Sequence, residues 1–208
     1  MSKFNFFTRR SLNIDVTHRC ALDCPRCQRW ASYRRHGKKV PGIDFTISQM
    51  KKIISFYNDL HFCGQYSDPV HHPKFIEILK LLREQRVSCS VHNASSAKSE
   101  DWYIKAFEAN PKAHWVFGID GLPEESCLYR INQDGEKLFN IMIKSKKYLV
   151  RKPTWQYIIF KYNQDHIEQA KRIANDNDIP IMIINSSRWW SNNDSYRPTI
   201  PELSFDKK

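Results

Sequence analysis

Residues 11–27 read SLNIDVTHRCALDCPRC. The first seven form a candidate β-strand, and the loop that follows carries three thiols. Cys20, Cys24 and Cys27 stand in a C-x3-C-x2-C spacing. Structural metal sites usually close with four ligands. Three on one short loop therefore imply either a partner elsewhere in the chain or a coordination position left open.

Outward from this stretch the chain alternates strand-like and helical runs. After the first strand (11–17), strands are expected at 61–64, 87–92, 113–120, 154–162 and 179–185. Helices are expected at 46–60, 73–85, 99–110, 135–149 and 163–178. Ile47, Met50, Ile54 and Tyr57 share one side of the first of these helices. Pro73 suits a helix start, Ser99 and Asn163 suit N-caps, and the acidic residues after Ser99 suit a helix N-terminus. Six βα-type repeats predict a parallel sheet with right-handed crossovers, either doubly wound or a partial barrel. Neither a G-x-G-x-x-G nor a Walker-type loop follows any strand, so nucleotide-binding versions of the doubly wound sheet lack support. The expected organisation is a single core domain over 1–185 with a C-terminal extension over 186–208.

Composition narrows the class. The 208 residues are 41% hydrophobic and 13% aromatic, a globular balance. No apolar run is long enough to span a bilayer, and the N-terminal MSKFNFFTRR lacks a signal-peptide core, so a cytoplasmic protein is expected. In a reducing compartment the clustered cysteines read as metal-binding or catalytic. Cys63 and Cys89, in apolar runs, read as buried small hydrophobes. The net charge of +11 suits an anionic partner. Six basic residues and no acidic one fall between Arg26 and Lys39: Arg26, Arg29, Arg34, Arg35, Lys38 and Lys39. They read either as a solvated face or as an electrostatic landing site beside the cysteines.

In β/α barrels the active site lies at the C-terminal ends of the strands. Each expected strand here ends in polar residues: the cysteines, GQYSDPVHHP (64–73), HNASS (92–96), GIDGL (118–122), KYN (161–163) and NSSRWW (185–190). Two readings of the metal stay open. Zinc would take His18, His36 or Cys63 as a fourth ligand. A cubane iron–sulfur cluster is normally held by four thiolates. Held by three, it would leave one iron free for a small molecule.

With these motifs the chain resembles the radical S-adenosylmethionine (SAM) superfamily, whose hallmark is C-x3-C-x2-C after the first strand of a partial (β/α)6 barrel. The resemblance spans about residues 11–185 and is nearest to peptide-modifying maturases and short phage-encoded members. It implies an oxygen-sensitive enzyme with one [4Fe–4S] cluster on Cys20, Cys24 and Cys27. The cluster's open iron would chelate SAM, and one electron would cleave SAM to methionine and a 5′-deoxyadenosyl radical that abstracts hydrogen from a substrate. YSDPVHHP is similar to the family's Gly-Gly-Glu-Pro stretch, with Ser67 for Gly and Asp68 for Glu, and implies contact with the methionine ammonium. HNASS implies Asn93 and Ser95 at the SAM site. GIDGL resembles Ser-Ile-Asp-Gly, which brings in Asp120 and puts Gly118 where a serine is common. Arg130 suits the SAM carboxylate or a surface ion pair, and Asn163 completes the set. Arg26 departs from the usual aromatic residue before the third cysteine.

The resemblance also implies an acidic electron donor, a flavodoxin or ferredoxin, docking on Arg34, Arg35, Lys38 and Lys39. No cysteine follows Cys127, so no auxiliary-cluster domain is expected. The rival function is a zinc-binding nucleic-acid module, which the charge and the aromatic tail favour. Six strands do not close a barrel that normally needs eight. Trp189, Trp190 and Tyr196 are expected either to pack across the open edge or to form a lid.

Overall fold

Six parallel strands lie side by side in chain order: β1 (Ser11–Asn13), β2 (Asp59–Phe62), β3 (Ser88–Asn93), β4 (His114–Gly118), β5 (Thr154–Ile159) and β6 (Ile181–Asn185). This computed structural model describes residues 10–38, 42–186, 189 and 191–204. Lys39 and Trp190 lie outside the described residues. Six helices connect and flank the strands: α1 (Gln28–His36), α2 (Ile47–Ile54), α3 (Phe75–Glu84), α4 (Glu100–Ala109), α5 (Gly135–Ser145) and α6 (Ile167–Asp176). The sheet curls into a half-barrel, one of the two architectures the repeats left open and the partial (β/α)6 form that the resemblance implied.

Alternation along the strands sorts the two faces. Leu60, Phe62, Val91, Trp115, Phe117, Trp155, Tyr157 and Ile159 belong to one apolar core with helix residues such as Phe75, Leu79, Tyr103, Phe107, Leu138 and Met142. Aromatic edges knit this layer: Phe107 meets Trp115 at 4.9 Å and Phe75 meets Phe62 at 5.4 Å, both nearly perpendicular. Such pairs add about 0.5–1.5 kcal/mol beyond their burial. The residues between them, His61, Ser90, His92, His114, Thr154 and Gln156, alternate to the concave face.

Helix starts follow local chemistry. Thr46 and Gln49 form a reciprocal capping box on α2, Ser99 accepts from Trp102 N on α4, and Asp134 accepts from Lys137 N on α5. Each cap satisfies backbone donors that the helix itself cannot, worth about 1 kcal/mol. The expected helix over 46–60 ends at Ile54, and Asp59 already belongs to β2. The expected helix over 163–178 begins only at Ile167. Asn163 gives it no side-chain cap, because its amide is bonded within its own turn.

The first strand is shorter than 11–17. After Asn13 only Ile14 N still bonds across, to His61 O. Asp15 then turns to accept from Tyr66 N and the Ser67 hydroxyl, and Thr17 donates to Asp44. The segment is spent on fastening neighbouring loops instead of extending the ladder. Residues 191–204 lie against the cysteine loop and the end of β5. Tyr196 sits 5.3 Å from Tyr129 and 6.0 Å from Phe160, and Asp194 pairs with Arg26 at 2.9 Å. No helix among the described residues is long and apolar enough to cross a membrane.

Candidate functional site at the C-terminal ends of the strands

The loop from β1 to α1 brings Cys20, Cys24 and Cys27 to the wall of one cavity of about 380 Å³ at the C-terminal ends of the strands. Its backbone is tied down from several sides. Cys27 N bonds to Cys24 O, and Cys27 then serves as the N-cap of α1. Asp23 N bonds to Ile131 O, and Asn132 donates to Ala21 O. Three of the six clustered basic residues grip the same segment. Arg29 donates to Cys20 O, Arg34 to Pro25 O, and Arg26 pairs with Asp194. The basic run read as a landing site is thus partly a set of fasteners. Arg35 and Lys38 are exposed.

The thiols sit in apolar surroundings with Leu22, Tyr129, Ile158 and Phe160. Burial pushes the Cys20 thiol up to about 12, with Asp68 adding to the effect. Burial likewise raises Cys24, against a lowering by Arg130. Such thiols lack compensation for a thiolate, which a bound cationic metal centre provides. Among the described residues, no three His, Cys, Asp or Glu side chains converge where they could hold a single metal ion. A cubane does not need that convergence, because its ligands attach at separate iron corners. Three thiols on one cavity wall supply the donor set that such a group would use.

The loop after β2 lines the same cavity beside the cysteine loop, where Asp68 N bonds to Arg19 O. Gly64 adopts φ +59, and a Cβ there would stand 2.6 Å from Ser67 O, so the tight turn over 64–67 requires glycine. Ser67 and Asp68 both line the cavity. The Ser67 hydroxyl donates to Asp15 at 2.7 Å. The Asp68 carboxylate accepts from Val70 N, Ala94 N and Ser95 N, and only 3% of the residue is exposed. Burial pushes this carboxyl up to about 6 despite those donors. Asp68 therefore ties the loops after β2 and β3 together from the cavity wall.

The remaining expected residues divide. Asn93 lines the cavity, but its amide donates to the Tyr103 hydroxyl and accepts from Ser95 N. The Ser95 hydroxyl bonds to His71 Nε2, and Ser95 is not on the cavity wall. Asn163 is fully buried, accepts from Phe160 N and donates to Ile158 O, and also stands off the wall. Both are held away because their polar atoms complete backbone turns. Asp120 lies behind the wall, where it holds Arg130 Nε at 2.7 Å and accepts from Ile158 N. Arg130 does line the cavity, and its pairing is buried and not a surface one.

Three further residues on the cavity wall were not among the expected SAM or cluster residues. Cys63, read as a buried hydrophobe, is half-buried on the wall. His92 and Gln156 form a polar floor. Burial lowers the His92 imidazole, His114 and His61 lower it further, and a hydrogen bond with Gln156 works against them. The signal for both was the inward register of β3 and β5, which a strand assignment alone does not resolve.

No family of known sequences and no curated protein matches the chain. Solved structures do match in fold. One is SuiB of Streptococcus suis bound to S-adenosylmethionine, at a TM-score of 0.66 and 11% identity, covering 91% of this chain and 43% of that one. The same protein bound to its precursor peptide SuiA gives a TM-score of 0.65 at 10% identity, covering 84% of this chain and 39% of that one. Methylornithine synthase (PylB) gives a TM-score of 0.57 at 14% identity, covering 85% of this chain and 53% of that one. The chain thus spans about half or less of the structures it matches, and what it shares with them is the half-barrel fold.

Proposed function

We propose that the protein is a radical SAM enzyme in which Cys20, Cys24 and Cys27 hold a [4Fe–4S] cluster with one iron left open to SAM. The observation that carries this reading is the set of three thiols on one cavity wall at the strand ends of a half-barrel. The fold match to radical SAM enzymes, one of them with SAM bound, supports it. When bound, the cluster supplies a low-potential electron and a coordination position for SAM, whose cleavage provides a hydrogen-abstracting 5′-deoxyadenosyl radical.

The chain's own groups position and seal. The turn at Gly64–Ser67 lays backbone along the cavity beside the cysteine loop, where it would meet the polar end of SAM. Asp68 holds that turn to the loop after β3 through Ala94 N and Ser95 N. Arg130 is the cation that a SAM carboxylate meets within the cavity. Leu22, Ile158 and Phe160 exclude water around the thiols. Substrate enters over the polar floor at His92 and Gln156. The SuiB complex with a precursor peptide favours a peptide as that substrate. Function in a reducing cytoplasm fits the free thiols.

The test is iron, sulfide and zinc analysis of anaerobically reconstituted protein. Wild type should hold about four irons and four sulfides per chain. Cys20→Ala, Cys24→Ala and Cys27→Ala should each lose them, whereas Cys89→Ala and Cys127→Ala should not. Stoichiometric zinc without sulfide would replace this reading with the zinc module.

A further inference from the structure

Strand β6 is one free edge of the half-barrel. Its register with β5 runs from Trp155 opposite Ile181 to Ile159 opposite Asn185, and Trp155 N bonds to Pro180 O at 2.9 Å. In a parallel ladder successive residues send their N–H and C=O groups alternately to the two sides of the strand. Pro180, Met182 and Ile184 therefore face β5, and Ile181, Ile183 and Asn185 send theirs outward. Among the described residues, no backbone group bonds to that outer edge. The Asn185 side chain does reach the C-terminal segment, donating to Glu202 O at 3.4 Å.

Folded proteins usually blunt such an edge with charges, proline, bulges or a very short strand. Here Ile181–Asn185 carries no charged residue, and all five residues are half-buried. Pro180 does not blunt it, because its backbone faces β5. The opposite edge offers less. Strand β1 has three residues, and with Ile14 N bonded to His61 O only Ser11 and Asn13 face outward. Unpaired N–H and C=O groups on every second residue are matched by another extended backbone. The edge is also continuous with the thiol-lined cavity, because Ile184, Asn185 and Ser186 stand on its wall. A strand laid along β6 would set alternate side chains beside Met182 and Ile184 and bring one end to that cavity. A second copy of the chain fits less well. Two β6 strands paired about a twofold axis would bring the Pro201–Leu203 turn of each copy, next to Asn185, against the start of the other strand. A single peptide strand carries no such turn.

We propose that the outer edge of β6 is the docking site for a peptide substrate, which adds there as a seventh strand and leads into the cavity. Main-chain bonds to Ile181, Ile183 and Asn185 supply the grip, and apolar side chains of the peptide meet Met182 and Ile184. The inference rests on the peptide reading of the substrate given above.

The experiment is residue-resolved amide hydrogen exchange on anaerobic, reconstituted protein. In the free protein the Ile181, Ile183 and Asn185 amides should exchange at least about tenfold faster than those of Met182 and Ile184. The probe is an eight-residue peptide of alternating threonine and valine with a glutamate at each end. At saturation it should slow Ile183 and Asn185 by about tenfold and leave Met182 and Ile184 unchanged. The same peptide N-methylated at its two central residues should not. Ile183→Pro removes one outward N–H and keeps the ladder to β5, so it should hold wild-type iron and lose the probe. If that variant fails to fold, the N-methylated probe on wild type decides. Outward amides already protected in the free protein, no slowing with the probe, or equal slowing with its N-methylated form would each overturn the inference. Protection that grows with protein concentration alone would replace the peptide with a second copy. None of these readouts uses SAM, so their failure leaves the cluster reading standing, and a protein without iron but with this exchange pattern would fail that reading alone.

Discussion

The Asp68 carboxylate receives three backbone N–H groups and holds two loops together across the mouth of the half-barrel. Its removal leaves those donors without their partner. Asp68→Ala is expected to lose roughly 2–4 kcal/mol of stability, since each orphaned buried donor costs about 1–3 kcal/mol before relaxation. Urea unfolding checks this, and an unchanged midpoint would return Asp68 to a ligand-only role. Two neighbours on the same turn also shape the pH profile. Burial lifts Asp68 to about 6, so its contribution to stability falls as pH rises from its unfolded value near 4 through 6. Burial lowers His71 to about 4, so its contribution is full above the ordinary 6.5 and is lost as pH falls toward 4. The two oppose each other between pH 4 and 6. His71→Gln removes one of them, so its melting temperature should fall less than that of wild type between pH 7.5 and pH 5. Parallel pH profiles would contradict the assignment. The three cysteines were legible because their spacing is local. The roles of Ser95, Asn93 and Asn163 were not, because their polar atoms are committed to the His71 ring, the Tyr103 hydroxyl and Phe160 N, partners that only the folded chain aligns.

Helix α1 begins at the third cysteine and ends in Arg34, Arg35 and His36, a charge order that suits its dipole. Its basic residues divide by role. Arg29 and Arg34 hold the cysteine loop, while Arg35 and Lys38 are exposed beside it. The proposed docking of an acidic electron donor therefore falls on Arg35 and Lys38 among the described residues. Replacing both with Gln should slow SAM cleavage driven by flavodoxin several-fold at low salt and leave cleavage driven by dithionite unchanged. Equal loss with both reductants would assign these residues to the fold of the loop. Repeat order and element type could be read from hydrophobic periodicity, and the parallel sheet followed. Strand β1 was overread because Asp15 and Thr17, which look like strand residues in an alternating pattern, are drawn off to Ser67 and Asp44.

For the whole molecule, residues 191–204 complete a second small core. Tyr196 joins Tyr129, Phe160, Leu22 and Cys24, and Asp194 reaches Arg26 next to Cys27. This packing makes the segment part of the apolar casing around the three thiols. Truncation after Ser186 should lower the melting temperature and expose the thiols, seen as faster alkylation of the apo protein. A truncated protein of unchanged stability and alkylation rate would restore the lid reading. The central claim is that the thiol-lined cavity binds a cluster and SAM together and cleaves SAM reductively. The most direct measurement is chromatography of anaerobic, cluster-loaded protein incubated with SAM and dithionite. The account predicts 5′-deoxyadenosine and methionine in equal amounts, both absent with Cys24→Ala. A protein that carries its full iron and sulfide, is reduced and binds SAM, yet releases no 5′-deoxyadenosine, would contradict it.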